Sequence, residues 1–199
     1  MNEEYLSLLV EGGLDEAVGR RIAGFCRFSV ATVYGKRGFG YVRYKIAGFN
    51  AAAIGQPILA IADSMDMGEA CPPDTLRRLL PAPSPKMRFR LAVREIESWL
   101  LADQTNLARF LGVSRKEMPS DPEQLPDPKR TLVNLARRSS IRRIRESLIP
   151  DPKVGGAEGR EYTLTMYRFV REFWDIDASQ QNADSLKKAI VAINALRSE

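Results

Sequence analysis

The chain has 199 residues, 44% of them apolar and 28% charged, with a formal net charge of +5 and a pI near 9.4. That is enough apolar material for a buried core, and the length suits one domain or one domain with a helical appendage. There is no histidine, which excludes histidine-held zinc, His-dependent triads and imidazole acid–base chemistry; a metal would need oxygen ligands, which favours magnesium or manganese.

The two cysteines, Cys26 and Cys71, lack the spacing of a zinc knuckle or a redox pair and read as small buried residues. The mild basic excess permits contact with nucleic acid without requiring it. No apolar run has the length of a transmembrane helix, and the opening MNEEYLSLLV is acidic and runs into a strand, unlike a signal peptide. A cytoplasmic location without a membrane partner is therefore expected.

Tyr5 to Val10 is a short, nearly all-apolar run, the pattern of a strand covered on both faces. Gly12 and Gly13 form a turn, after which Leu14, Val18, Ile22 and Phe25 recur at helical spacing. Ser29 to Tyr34 reads as a second strand ended by GKRGFG (Gly35 to Gly40), and Val42, Ile46, Phe49 and Ala53 give a second helical stripe. Pro57 to Ala62 is a third apolar strand with Asp63 at its end. Thr75 to Leu80 makes a short helix closed by PAPSP. Met87, Phe89, Leu91 and Val93 then alternate with Arg88, Arg90, Ala92 and Arg94, which predicts a strand near the sheet edge with one solvated face.

Such alternation of strand and helix predicts an α/β fold: an open, mainly parallel sheet of about four strands flanked by helices, over residues 1–103. The remainder, 104–199, reads as a helical C-terminal part packed on it. Ile96, Trp99, Leu100 and Leu107 suit one helix, and Leu132, Leu135 and Ile141 others. Leu164, Tyr167, Val170 and Trp174 form a further stripe, as do Leu186, Ile190, Ile193 and Leu196; Trp99 and Trp174 are expected in the core. The proline-rich PSDPEQLPDPK and IPDPKVGGAEGREY separate these helices.

In open α/β sheets ligands bind beyond the carboxyl ends of the strands. Glu11 follows the first strand and Asp63 the third, so if those strands are neighbours both carboxylates lie within reach of a shared cation. Asp66 stands three residues on in the turn, and Glu95 and Glu97 follow the fourth strand at the same edge. Clustered carboxylates are costly unless a cation neutralises them or one holds a proton, and paired ions of this kind clamp the oxygens of a phosphodiester. The same acids also make good turn and N-cap residues, so a purely structural role stays open.

Three sets of cations accompany them. Lys36 and Arg37 lie between glycines after the second strand, at the same edge, as a phosphate cradle or an ordinary loop. In ARRSSIRRIRES, Arg138, Arg142 and Arg145 would share one side of a helix, suited to a phosphate backbone or simply a solvated face. Lys129 in PDPKR is a phosphate contact or a helix start.

LLVEGGLDEA (Leu8 to Ala17) resembles the first motif of Toprim domains, a Glu between an apolar strand and a helix, and ILAIADSMD resembles their second, an Asp-x-Asp pair after a later strand. The order LVEGG, GKRG, NAAA, ADSMD, REIESWLLAD, PDPKR, SLKKAI resembles more closely an uncharacterised bacterial family, domain of unknown function 4276, over nearly the whole chain. That family is regarded as Toprim-like and akin to overcoming-lysogenisation-defect nucleases and to phage-defence proteins. The resemblance implies a Toprim-like fold and magnesium- or manganese-dependent hydrolysis of nucleic-acid phosphodiesters in phage or plasmid defence. It implies no zinc, haem or dinucleotide. Glu11 takes the acid/base or metal-ligand position and Asp63 that of a magnesium ligand. The second Asp of the pair would fall at residue 65, which is Met65; Asp66 comes one later, and Glu97 of REIESWLLAD stands as a compensating catalytic or metal-binding carboxylate. The alternative is a non-catalytic Toprim-like subunit binding nucleic acid or nucleotide in a defence complex, with a protein partner encoded nearby.

Overall fold

Among the described residues four strands lie in the first half of the chain: β1 (Glu4–Val10), β2 (Phe28–Gly35), β3 (Ile58–Asp63) and β4 (Met87–Ala92). All pairings are parallel and the order is β2-β1-β3-β4, so the fold is an open, all-parallel α/β sheet. In the computed structural model, which describes residues 4–65 and 72–197, the helices are α1 (Gly13–Phe25), α2 (Phe39–Ala52), α3 (Pro72–Leu79), α4 (Glu97–Leu101), α5 (Gln104–Leu111), α6 (Pro128–Arg137), α7 (Arg142–Leu148), α8 (Tyr162–Glu172), α9 (Ile176–Ser179) and α10 (Asp184–Asn194). The chain divides into two units: residues up to Ile96 together with Ser185 onward, and Glu97–Asp184.

In the first unit β1 and β3 are central, and Leu6–Val10 and Ile58–Ala62, apolar apart from Ser7, are buried because helices cover both sheet faces. α1 lies over the face carrying Leu8 and Ile61; at Gly19 a Cβ would stand 3.1 Å from Leu8 Cδ1, so the missing side chain sets how near the helix comes. On the opposite face Val42 and Ile46 of α2 pack with Leu9, Ile58, Ala60 and Ala62. Met87, Phe89 and Leu91 of β4 join that core, as their alternation predicts.

The arginine face of β4 departs from expectation. β4 is an edge strand, but Arg88 and Arg90 are half-buried rather than solvated. Arg88 Nε donates to the carbonyl of Ala192 in α10 at 2.9 Å. An arginine stem can lie along apolar surface while its head finds an acceptor, so the alternation hid a covered face. α10 also meets the end of α1, where Cys26 Sγ lies 4.0 Å from the Ile190 carbonyl. Its predicted stripe, Leu186, Ile190 and Ile193 with Leu196 just beyond, is buried.

Two apolar helix stripes depart from expectation after β4. Ile96 to Leu107 is not one helix, because buried Asp103 interrupts it: its carboxylate accepts from the Asn106 N–H at 3.1 Å, capping α5, and from the Asp175 N–H at 2.8 Å. In α8 the buried residues are Tyr162, Met166, Phe169 and Val170, whereas Leu164 is 70% exposed and Tyr167 lies at the margin. Apolar residues occur on both sides of this helix, so spacing placed Val170 and Trp174 correctly in the core but chose Leu164 and Tyr167 in place of Tyr162, Met166 and Phe169. Trp99 and Trp174 are core residues, with Trp174 Nε1 donating to Ser179 Oγ at 2.8 Å. Among the described residues no helix is long and apolar enough to cross a membrane.

Candidate functional site at the sheet edge

The strand order reverses between β1 and β3: β2 lies on one side of β1 and the later strands on the other. Such a switch point opens a crevice at the carboxyl ends of the strands, where α/β sheets bind ligands. Glu11 is the first residue past β1, and Asp63 is the last of β3. Glu11 Oε1 accepts a hydrogen bond from the Asp63 N–H at 2.9 Å, and Asp63 Oδ1 accepts from the Ile96 N–H at 2.8 Å. Both side chains are half-buried. Each carboxylate is thus oriented by a main-chain amide.

The glycine turn after β2 is laced to the same place. Gly35 has φ +103°, and a Cβ there would stand 2.0 Å from the Val10 carbonyl oxygen, so only glycine fits. The Lys36 N–H donates to Val10 O at 2.9 Å and the Gly38 N–H to Glu11 O at 3.0 Å. Lys36 and Arg37 therefore reach the edge that carries Glu11. Lys36 Nζ pairs with Glu16 Oε2 at 3.1 Å, and the Arg37 guanidinium lies 5.7 Å from the centre of the Tyr41 ring. Burial works against the Glu16 carboxylate, but its bonds from Arg20 and Lys36 outweigh that and hold its pKa below the ordinary value. Sequence reading missed Glu16, although its spacing to Arg20 marks an i,i+4 pair. It also missed that Asp15, three residues after Gly12, accepts from the Gly12 N–H at 2.9 Å and so caps α1.

Met65 prolongs the backbone pairing beyond β3, its N–H donating to Arg94 O at 2.9 Å. Asp66 lies outside the described residues, as does Cys71.

Glu97 belongs to the second unit, where it is 2% exposed. Its Oε1 accepts from the Tyr162 hydroxyl at 3.0 Å and faces Lys129 Nζ at 3.6 Å. Lys129 also pairs with Glu158 at 3.3 Å and sits 5.6 Å from the Tyr162 ring centre. REIESWLLAD and PDPKR thus converge on one buried polar cluster that ties α4, α6 and α8. Nothing in local spacing pointed to Tyr162 or Glu158. Glu95 is also buried, and its N–H bonds back to the Val93 carbonyl.

The arginine run does not form one helical stripe. α6 ends at Arg137 and α7 begins at Arg142; between them Ser139 Oγ accepts from the Ile141 N–H at 3.0 Å and Ser140 Oγ donates to the Gly112 carbonyl at 2.9 Å. Serines that bond nearby backbone compete with helix, which breaks the run. Arg138 pairs with Glu117 at 3.1 Å, Arg142 with Glu146 at 2.6 Å, and Arg145 donates to the Ser139 carbonyl. The hydrogen bond that Arg142 donates to the Glu146 carboxylate raises the pKa of Arg142.

Among the described residues no group of three or more acidic or cysteine side chains is gathered as for a metal. Glu11 and Asp63 form a pair. Their chemistry fits magnesium or manganese, which are commonly bound through one or two carboxylates with water and substrate phosphate completing the shell. A groove of about 620 Å³ lies within the second unit between Phe110, Ile144, Leu164 and Phe173, and none of the acidic candidates lines it. No family model matches the chain, and no curated protein or solved structure matches it.

Proposed function

We propose that the β1/β3 edge binds magnesium or manganese through Glu11 and Asp63 and that the protein hydrolyses phosphodiesters of nucleic acid. The observation that carries this is the 2.9 Å bond from the Asp63 amide to Glu11 Oε1 at the switch point of a parallel sheet. A divalent ion held there supplies Lewis-acid polarisation of a phosphoryl oxygen. Glu11 and Asp63 bind it as hard oxygen ligands, and their amide bonds reduce the reorganisation needed on binding. Lys36 and Arg37 bind phosphate oxygens beside them, with Lys36 exchanging the Glu16 carboxylate for phosphate. These roles agree with those implied by the Toprim resemblance, and a place in phage or plasmid defence belongs to the same proposal.

A non-catalytic module that binds nucleic acid is the second reading. It is favoured by the engagement of both carboxylates with main-chain amides, a structural role in itself, and by Met65 where the Toprim-like pair has its second acid.

The test is cleavage of single- and double-stranded DNA and RNA in Mg²⁺ or Mn²⁺ by the full chain. Glu11→Ala and Asp63→Ala are expected to lose at least a hundredfold in rate, order of magnitude, as removal of a key electrostatic group does, while keeping native circular dichroism. Cleavage at the parental rate in both variants would rule out the site, and no cleavage by the parent would favour the binding module.

A further inference from the structure

No Asp or Glu occurs between Glu16 and Asp63. That acid-free span includes the glycine turn and all of α2, which is N-capped by Gly38, the residue whose N–H donates to the Glu11 carbonyl. Val42 and Ile46 of α2 are buried on the sheet, so its outer side presents Arg43, Tyr44 and Lys45, all exposed. Tyr44 is 78% exposed, with Lys45 Nζ 4.9 Å from its ring centre. Tyr41, three residues before Tyr44, has the Arg37 guanidinium 5.7 Å from its ring centre. Positions three apart are neighbours on a helix surface. Among the described residues Arg37, Arg43 and Lys45 make no ion pair, so their charge is available to a partner.

We propose that this side of α2, with Tyr41, Tyr44, Arg37, Arg43 and Lys45, is a platform for single-stranded nucleic acid leading to the Glu11–Asp63 edge. The proposal rests on the reading of that edge as a nucleic-acid site and names the form of substrate. The exposed Tyr44 ring among cations without ion pairs, with the half-buried Tyr41 packed against the core beside it, matches a strand whose bases are free to stack and whose phosphates need neutralising. A duplex keeps its bases stacked on one another and uses the cations alone. A membrane surface requires an exposed apolar helix face. The outward side of α2 has Gly40, Ala47 and Gly48 around Tyr44 instead.

The test is fluorescence anisotropy with labelled oligothymidylate and oligouridylate of about 20 nucleotides, longer than an ordinary single-strand site, in EDTA with the full chain. The parent is expected to bind at least one of them at micromolar concentration. Tyr44→Ala should weaken binding about tenfold, as loss of a stacking partner does, and Tyr44→Phe should restore it. Arg43→Gln with Lys45→Gln should lower the slope of log affinity against log salt by about 1.4, roughly 0.7 for each lost phosphate contact. Unchanged binding by Tyr44→Ala and the double variant would overturn the platform, as would preference for a duplex of equal length or for phosphatidylserine vesicles. Oligonucleotide binding without any metal-dependent cleavage would overturn the hydrolase alone, and cleavage with binding indifferent to Tyr44 would overturn the platform alone.

Discussion

The Asp63 main-chain N–H donates to Glu11 Oε1 at 2.9 Å, joining the residue that ends β3 to the residue that follows β1. The bond closes the carboxyl ends of the two central strands where the sheet order reverses. It also separates a structural from a chemical role for Glu11. Glu11→Gln keeps a carbonyl oxygen to accept this bond and should lose less than about 1 kcal/mol of stability, whereas Glu11→Ala leaves a half-buried amide short of its acceptor and should lose about 1–3 kcal/mol. Urea denaturation of the two variants checks the difference.

Gly35 and Gly38 both have positive φ but differ in their surroundings. A Cβ at Gly35 meets the Val10 carbonyl oxygen at 2.0 Å, while at Gly38 it meets nothing within 4 Å. Gly35→Ala should therefore cost clearly more than Gly38→Ala and displace the Lys36 turn, Gly38→Ala costing about 1–3 kcal/mol from backbone strain alone. Equal losses in denaturant melts would contradict the packing described at Gly35.

Burial pushes the Cys26 thiol up to about 11, against a smaller opposing effect of Arg197. In a Cys71→Ser background Cys26 should resist iodoacetamide at neutral pH until the chain is unfolded. The sign of the pH effect follows from linkage. The folded state holds this proton more tightly than the unfolded state, so the stabilisation is complete below about 9 and is lost as pH rises through about 11. Cys26→Ala should flatten stability against pH across that window, and an unaltered profile would contradict the burial.

Glu97 is the shared partner of Tyr162 and Lys129. Glu97→Ala leaves a half-buried ammonium and a buried hydroxyl without it and should destabilise by about 3 kcal/mol. Tyr162→Phe removes one hydrogen bond and should cost about 1 kcal/mol. Thermal melts rank the two, and a harmless Glu97→Ala would remove the structural role of the cluster.

The strands and the edge acids were legible because burial on both sheet faces writes continuous apolar runs, each ended by a polar residue: Tyr5 to Val10 before Glu11, Pro57 to Ala62 before Asp63. Features set by partners far along the chain were not. Ala192 accepts from Arg88 across 104 positions and Tyr162 reaches Glu97 across 65, so neither the covered face of β4 nor the bonding of Glu97 had a local trace. Helix breaks at Asp103 and Ser139 depend on side chains turning back to bond the backbone, which apolar spacing does not record.

The most direct measurement is an electron paramagnetic resonance titration of the full chain with Mn²⁺. Parental protein is expected to deplete the free Mn²⁺ signal at sub-millimolar concentration, and Glu11→Gln and Asp63→Asn, both still folded, should each raise the dissociation constant at least tenfold, about 1.4 kcal/mol. Depletion equal in all three proteins, or none by the parent at millimolar Mn²⁺, would contradict a cation site at Glu11 and Asp63.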